Sequence, residues 1–197
     1  LQVCVLSLMA LETAKVKKLV QGDEDYKAFE KLPALLKSVL DNNSYYEKVA
    51  DSIYQKESCF FIGRGIDYAI CMEGSLKLKE VSYLHSEAYQ AGELKHGTIS
   101  LIEEDVPVFA IITDDRIKDK TESNVIEVDS RKAKVFTITN DDTIKNHHKK
   151  YVVPKTSYYL QAILTVPPLQ LVGYYVGDLK KLDIDKPRNL AKSVTVE

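Results

Sequence analysis

The sequence has no CxxC pair: its three cysteines, Cys4, Cys59 and Cys71, stand apart among apolar neighbours. That spacing argues against a zinc ribbon or a dithiol redox motif and reads as small buried hydrophobes in a reducing compartment, so a cytoplasmic location is expected. Long apolar runs are missing as well. No stretch approaches the roughly 20 residues that a membrane span needs, and the N-terminus lacks the basic, apolar, small-residue order of a signal peptide. Charge of one sign is also lacking: 27 Lys and Arg against 29 Asp and Glu leave a net −2, which gives no electrostatic case for nucleic acid or an anionic membrane. There is no Walker A glycine-lysine pair and no six-residue dinucleotide fingerprint. The 197 residues are enough for one substantial domain whose core needs neither disulfide nor metal.

The chain opens on Leu1 inside "LQVCVLSLMALETAKVKKLV", which has helical spacing and no capping residue before it, so it is expected to begin mid-protein. Helical spacing covers 1–20 and 26–51, broken at "QGDED" and entered again through Pro33 and "DNNS". "SCFFIGRG" then reads as a strand with a glycine turn, followed at once by a helical run over 66–90. "VPVFAIIT", "AKVFTIT" and "KYVVP" read as further strands, "DKTESNVIEVDSR" as a helix between them, and "TISLIEED" as an added strand. A long apolar helix over 157–181 should be kinked or divided by Pro167 and Pro168. Short apolar runs alternating with helices predict a doubly wound three-layer α/β/α sandwich of about five parallel strands. Ligands of such sheets bind beyond the carboxyl ends of the strands; "GRG" lies there, though a sterically required tight turn explains it equally well.

The stretch "EGSLKLKE" at 73–80 carries the sharpest anomaly. Advancing about 100° per residue from Glu73 puts Lys77 near +40° and Glu80 near −20°, on the side of Ala69, Ile70, Leu76 and Leu84. The opposite side, with Ser75, Lys79, Ser82, His85 and Ser86, reads as the solvated one. Charges on an apolar side must pair, reach a cavity or sit at an interface. A Glu–Lys–Glu row at i, i+4, i+7 is satisfied by an ion-pair ladder worth a few tenths of a kcal/mol per pair. The functional reading is a carboxylate base in a cleft, adjusted by the lysine. Next along the chain, "AGELKHG" sets Lys95 and His96 in a glycine-bounded loop, where the histidine serves as a proton shuttle or is merely a surface residue. "NHHKK" at 146–150 reads as a solvated turn, since no Asp, Glu or Cys stands at metal-ligand spacing.

The run "EGSLKLKEVSYLHSEAYQAGELKHG" and the terminal "DKPRNLAKSVTVE" resemble the isomerase half of the glutamine–fructose-6-phosphate aminotransferase family. The resemblance implies two sugar-isomerase (SIS) domains of flavodoxin-like topology behind an N-terminal glutaminase domain, of which this chain is similar to the second SIS domain and the tail. It divides the chain into connecting helices at 1–50, an SIS domain at 51–181 and a tail at 182–197 that closes the active site. It implies formation of glucosamine 6-phosphate from fructose 6-phosphate and glutamine-derived ammonia, without metal or organic cofactor, by a homodimer. Residue by residue, Glu80 matches the proton-transfer base, Lys77 a lysine at the substrate hydroxyls and Glu73 an orienting carboxylate. His96 matches the ring-opening histidine given to the neighbouring subunit's site, Lys192 the tail lysine that meets the open-chain carbonyl, and Ala191 a backbone contact beside it.

The family's "SxSGxT" type phosphate loop and its N-terminal cysteine do not occur in this sequence. The resemblance therefore implies an isomerase piece, inactive by itself, whose first SIS and glutaminase domains lie elsewhere on the polypeptide. A non-catalytic SIS sugar-phosphate-binding or regulatory module stays open, as does a stand-alone phosphosugar isomerase or deglycase; the tail "PRNLAKSVTVE" argues against both.

Overall fold

The computed structural model describes residues 1–19, 24–145 and 147–190. Five parallel strands form one sheet in the order β2-β1-β3-β4-β5, comprising β1 (Ser58–Gly63), β2 (His85–Gln90), β3 (Pro107–Ile112), β4 (Lys134–Thr139) and β5 (Lys149–Val152). This is the flavodoxin-like order, with its switch point between β1 and β3, and the expected three-layer sandwich is what the chain forms. The helices are α1 (Gln2–Val16), α2 (Glu24–Leu40), α3 (Asn43–Ile53), α4 (Ile66–Ser82), α5 (Lys118–Asp129) and α6 (Gln161–Leu179). Alternate residues of each strand face opposite layers. Cys59 and Phe61 point with Phe109, Ile111, Phe136 and Ile138 toward α3, α4 and α6. Phe60 and Ile62 point with Val108, Ala110 and Val135 toward α5. Across β1, β3 and β4 the rings of Phe61, Phe109 and Phe136 stack at 4.9 and 5.1 Å, a continuous apolar spine under α4 and α6.

Several sequence expectations are corrected. The helical run over 66–90 is two elements: α4 ends at Ser82, Tyr83 takes a left-handed conformation (φ 57°, ψ 17°), and 85–90 is the edge strand β2. Its residues pair one for one with β1, from Ser58 with His85 to Gly63 with Gln90. Serine and glutamate are weak strand formers, and the pairing overrides that preference. "TISLIEED" adds no strand, since Thr98–Leu101 is a 3-10 turn. Pro33 lies inside α2 and starts nothing new; Pro167 and Pro168 lie inside α6 without dividing it. β4 and β5, although parallel, are joined by 140–148 with no helix among the described residues.

The reading of which α4 face is solvated is also corrected. Ser75, Ser82 and Ser86 are buried, whereas Met72 and Leu76 are 46% and 44% exposed. Ser75 Oγ donates to the Ser86 carbonyl at 3.0 Å and Ser86 Oγ to the Ser75 carbonyl at 2.9 Å. Small side chains with internal partners let α4 lie close over β2, which a hydrophobic wheel scores as a solvated face. Gly74 does the same against α6: an added Cβ would meet Leu169 Cδ1 at 2.6 Å and Phe61 Cε1 at 3.1 Å.

Candidate functional site

The helix that carries Glu73, Lys77 and Glu80 buries Asp67, Ile70, Cys71, Gly74, Ser75, Leu78 and Ser82. The charged row lies on its flank, half-buried rather than inward: the side chains of Lys77 and Glu80 are 34% and 27% exposed. Lys77 Nζ donates to Glu80 Oε2 at 2.7 Å. Glu73 is held from the other side, where Gln170 Nε2 on α6 donates to its Oε1 at 3.1 Å. The hydrogen bond to Glu80, aided by the charges of Glu80 and Glu73, raises the Lys77 pKa against the opposing effect of desolvation. Lys77 is accordingly a fixed cation at neutral pH, suited to stabilising negative charge and unsuited to acting as a free amine. A groove of about 650 Å³ beside Glu73 and Gln170 has apolar walls that include Ile66, Ala69, Val166 and Pro167.

The two chemical clusters read from the sequence do not meet within the chain. α4 runs back from the carboxyl end of β1, and Glu80 lies 14 residues after Ile66, about 21 Å along the axis, near the end of the sheet where β1 and β2 begin. His96 ends the 3-10 segment Ala91–His96 that follows the carboxyl end of β2. Its side chain is 75% exposed, with Glu93 Oε2 at 3.9 Å. Glu80 and His96 are on opposite faces of the sheet: Ile70 and Leu78 of α4 pack in the layer of α3 and α6, whereas Ala91 and Leu94 of the segment that ends at His96 pack with Val125 and Val128 of α5. Ala191 and Lys192 lie outside the described residues. The segment before them is placed: after α6 the chain returns to the end of α4, where Lys180 Nζ donates to the Ser82 carbonyl at 3.1 Å and the Arg188 backbone N–H to Tyr83 Oη at 2.7 Å.

The crevice beyond the carboxyl ends of β1 and β3, where doubly wound folds usually take ligands, holds a network of the chain's own groups. Buried Asp67 accepts from the backbone N–H of Thr113 at 2.8 Å, from that of Asp114 at 3.2 Å, and from the Thr113 hydroxyl. Burial raises the Asp67 pKa, and the donors from Thr113 and Asp114 oppose the rise. Asp114 receives Arg116 through Nε at 2.8 Å and Nη2 at 2.7 Å, and its pKa is lowered chiefly by this pair. Arg64 of the "GRG" turn reaches Asn124 of α5 through Nε at 3.1 Å and Nη2 at 2.9 Å. Sequence reasoning missed Asp67, Thr113, Asp114, Arg116 and Asn124: the bonds of Asp67 and of Asn124 span 46 to 60 residues and give no local signal, and of these pairs Asp114–Arg116 alone is local. The "NHHKK" turn is not simply solvated: the His147 side chain is 1% exposed, with Nδ1 2.8 Å from Asp129 Oδ2, and the His148 ring stands edge-on to Phe136 at 5.3 Å.

A five-stranded parallel sheet in the order β2-β1-β3-β4-β5 between two helical layers defines a doubly wound, flavodoxin-like α/β domain. The SIS domain family model matches residues 52–176, and the chain belongs to that family. Over 202 aligned residues it is 45% identical to glutamine–fructose-6-phosphate aminotransferase (isomerizing) of Caldanaerobacter subterraneus, covering 100% of this chain and 33% of that enzyme. The chain thus spans about a third of the length of the curated relatives it matches, and the resemblance read from its motifs holds along its whole length. The C-terminal domain of glucosamine-fructose-6-phosphate aminotransferase from Francisella tularensis superimposes with a TM-score of 0.85 at 31% identity, over 92% of this chain and 53% of that one. Tagatose-6-phosphate ketose/aldose isomerase from Escherichia coli, at 15% identity and a TM-score of 0.70 over 80% of this chain and 45% of that one, shares the fold. No helix among the described residues is long and apolar enough to cross a membrane.

Proposed function

We propose that this chain supplies the base-bearing wall of an active site that converts fructose 6-phosphate and glutamine-derived ammonia to glucosamine 6-phosphate, in a cytoplasmic homodimeric aminotransferase that needs no metal or organic cofactor. The observation that carries the reading is the half-buried Glu80 carboxylate with Lys77 Nζ at 2.7 Å, in a chain 45% identical to such enzymes. Glu80 takes a proton from one of the two carbons C1 and C2 and returns it to the other through an enediol-type intermediate. Lys77 stabilises the oxygen charge that develops, and Glu73, steadied by Gln170, orients Lys77. Because Lys77 is held as a cation, it is Lys192 of the tail that meets the open-chain carbonyl, with Ala191 giving backbone contacts. His96 opens the sugar ring in the neighbouring subunit's site; its exposure and its place on the opposite face of the sheet from α4 suit a residue that serves a different protomer.

In this reading residues 1–50 connect to an upstream SIS domain that brings the phosphate loop, 51–181 are the second SIS domain, and 182–197 close the site; a glutaminase domain on the same polypeptide delivers ammonia. The test is glucosamine 6-phosphate formation by the full-length polypeptide with Glu80→Gln and with Lys192→Ala. Both are expected to lose turnover by about 10²-fold or more, and wild-type turnover in Glu80→Gln would remove its assignment as base. The 197-residue chain alone is expected to give no calorimetric signal for fructose 6-phosphate; micromolar binding would put the phosphate site within it.

A further inference from the structure

We propose that Tyr83 is a positioning residue that registers the C-terminal tail against the base-bearing helix; this rests on the reading of α4 and the tail given above. Tyr83 closes α4 three residues after Glu80 in a left-handed conformation (φ 57°), which a bulky side chain adopts at a cost. That turn directs its phenol to the tail, where two separate contacts form. Tyr83 Oη accepts the Arg188 backbone N–H at 2.7 Å, and the Arg188 guanidinium lies over the Tyr83 ring, 4.2 Å from its centroid. Lys180 Nζ on the Ser82 carbonyl at 3.1 Å ties the start of the returning segment to the same helix end. Lys192 follows Arg188 by four residues, a span of at most about 14 Å of extended chain. Fixing Arg188 on Tyr83 therefore sets the reach of the tail lysine relative to Glu80. Neither Tyr83 nor Arg188 acts on substrate; each acts through Lys192.

The experiment uses the full-length polypeptide with Tyr83→Phe, Tyr83→Ala, Arg188→Ala and Arg188→Lys. It reads kcat, KM for fructose 6-phosphate, melting temperature and hydrogen exchange at the Arg188 amide. Removing the phenol or its hydroxyl should speed exchange of that amide. Tyr83→Ala, which loses both contacts, should lower kcat about tenfold with KM within about twofold and an unchanged melting temperature. Tyr83→Phe, which keeps the ring, should fall between, and Arg188→Lys should restore most of what Arg188→Ala loses. Unchanged exchange at Arg188 would show that the contact does not hold the tail, and faster exchange with unaltered kcat would show that holding it does not matter; either overturns the proposal. Should Tyr83→Ala fail to fold, Tyr83→Phe and the Arg188 pair decide the matter. Full turnover in Glu80→Gln would instead overturn the underlying site assignment, with the exchange result standing apart from it.

Discussion

The two ends of the sheet handle polar groups in opposite ways. At the carboxyl end, buried Asp67 is satisfied by Thr113 and the Asp114 amide, Asp114 by Arg116, and Asn124 by Arg64. Near the other end, Lys77 and Glu80 make one bond to each other and keep about a third of their side-chain surface open. A closed network holds a fold in one arrangement, whereas an open, partly satisfied pair has lone pairs left for a reacting molecule. The proposed function accordingly puts the chemistry on the helix flank rather than at the position usually associated with ligands in this topology.

Substitutions should separate the two regions. The largest effect is expected from Glu80→Gln: a loss of turnover of about 10²- to 10⁴-fold with folding stability, measured by urea unfolding, within about 0.5 kcal/mol of the parent. A matching loss of stability would erase the contrast. Asp67→Ala should do the reverse, costing about 2 to 3 kcal/mol because three donors lose a buried acceptor; a neutral result would mean that water replaces the carboxylate. Gln170→Leu should be milder, a severalfold fall in kcat as Glu73 loses its donor, with stability changed by less than about 1 kcal/mol.

The smallest effect concerns pH. Arg116 holds the Asp114 pKa below the ordinary carboxylate range. An acid with a lowered folded-state pKa contributes stability above its unfolded pKa and loses it as pH falls through the folded value. Unfolding midpoints followed down from neutral pH should therefore show an acid limb that Asp114→Asn flattens. An unflattened limb would remove Asp114 from the closed network.

Much of the sheet was legible because β1, β3 and β4 are continuous apolar runs, "CFFIG", "PVFAII" and "KVFTIT", as strands buried on both faces must be. β2 was not legible. "HSEAYQ" is an edge strand, and it continues the 3.6-residue spacing of α4 without a glycine or proline between; the break is made by Tyr83, a residue with no preference for the left-handed region. The charged row drew attention by its angle on a helical wheel, but the buried face contains Gly74, Ser75 and Ser82, and the row itself lies on the flank, half-buried. The long-range bonds of the carboxyl-end network had no sequence signal, since they join residues 46 to 60 positions apart.

The reciprocal serines of α4 and β2 bear on the order of folding. Their bonds span 11 residues of sequence, and β1, α4 and β2 are contiguous from Ser58 to Gln90, so this unit closes shorter loops than the β1–β3 pairing that joins it to the rest of the sheet. It is therefore expected to belong to the folding nucleus, with Ser75→Ala slowing refolding more than it speeds unfolding in a chevron experiment. The stretch from Glu73 to Glu80 would then be in place before Arg188 meets Tyr83, making that contact a late and separately reversible step.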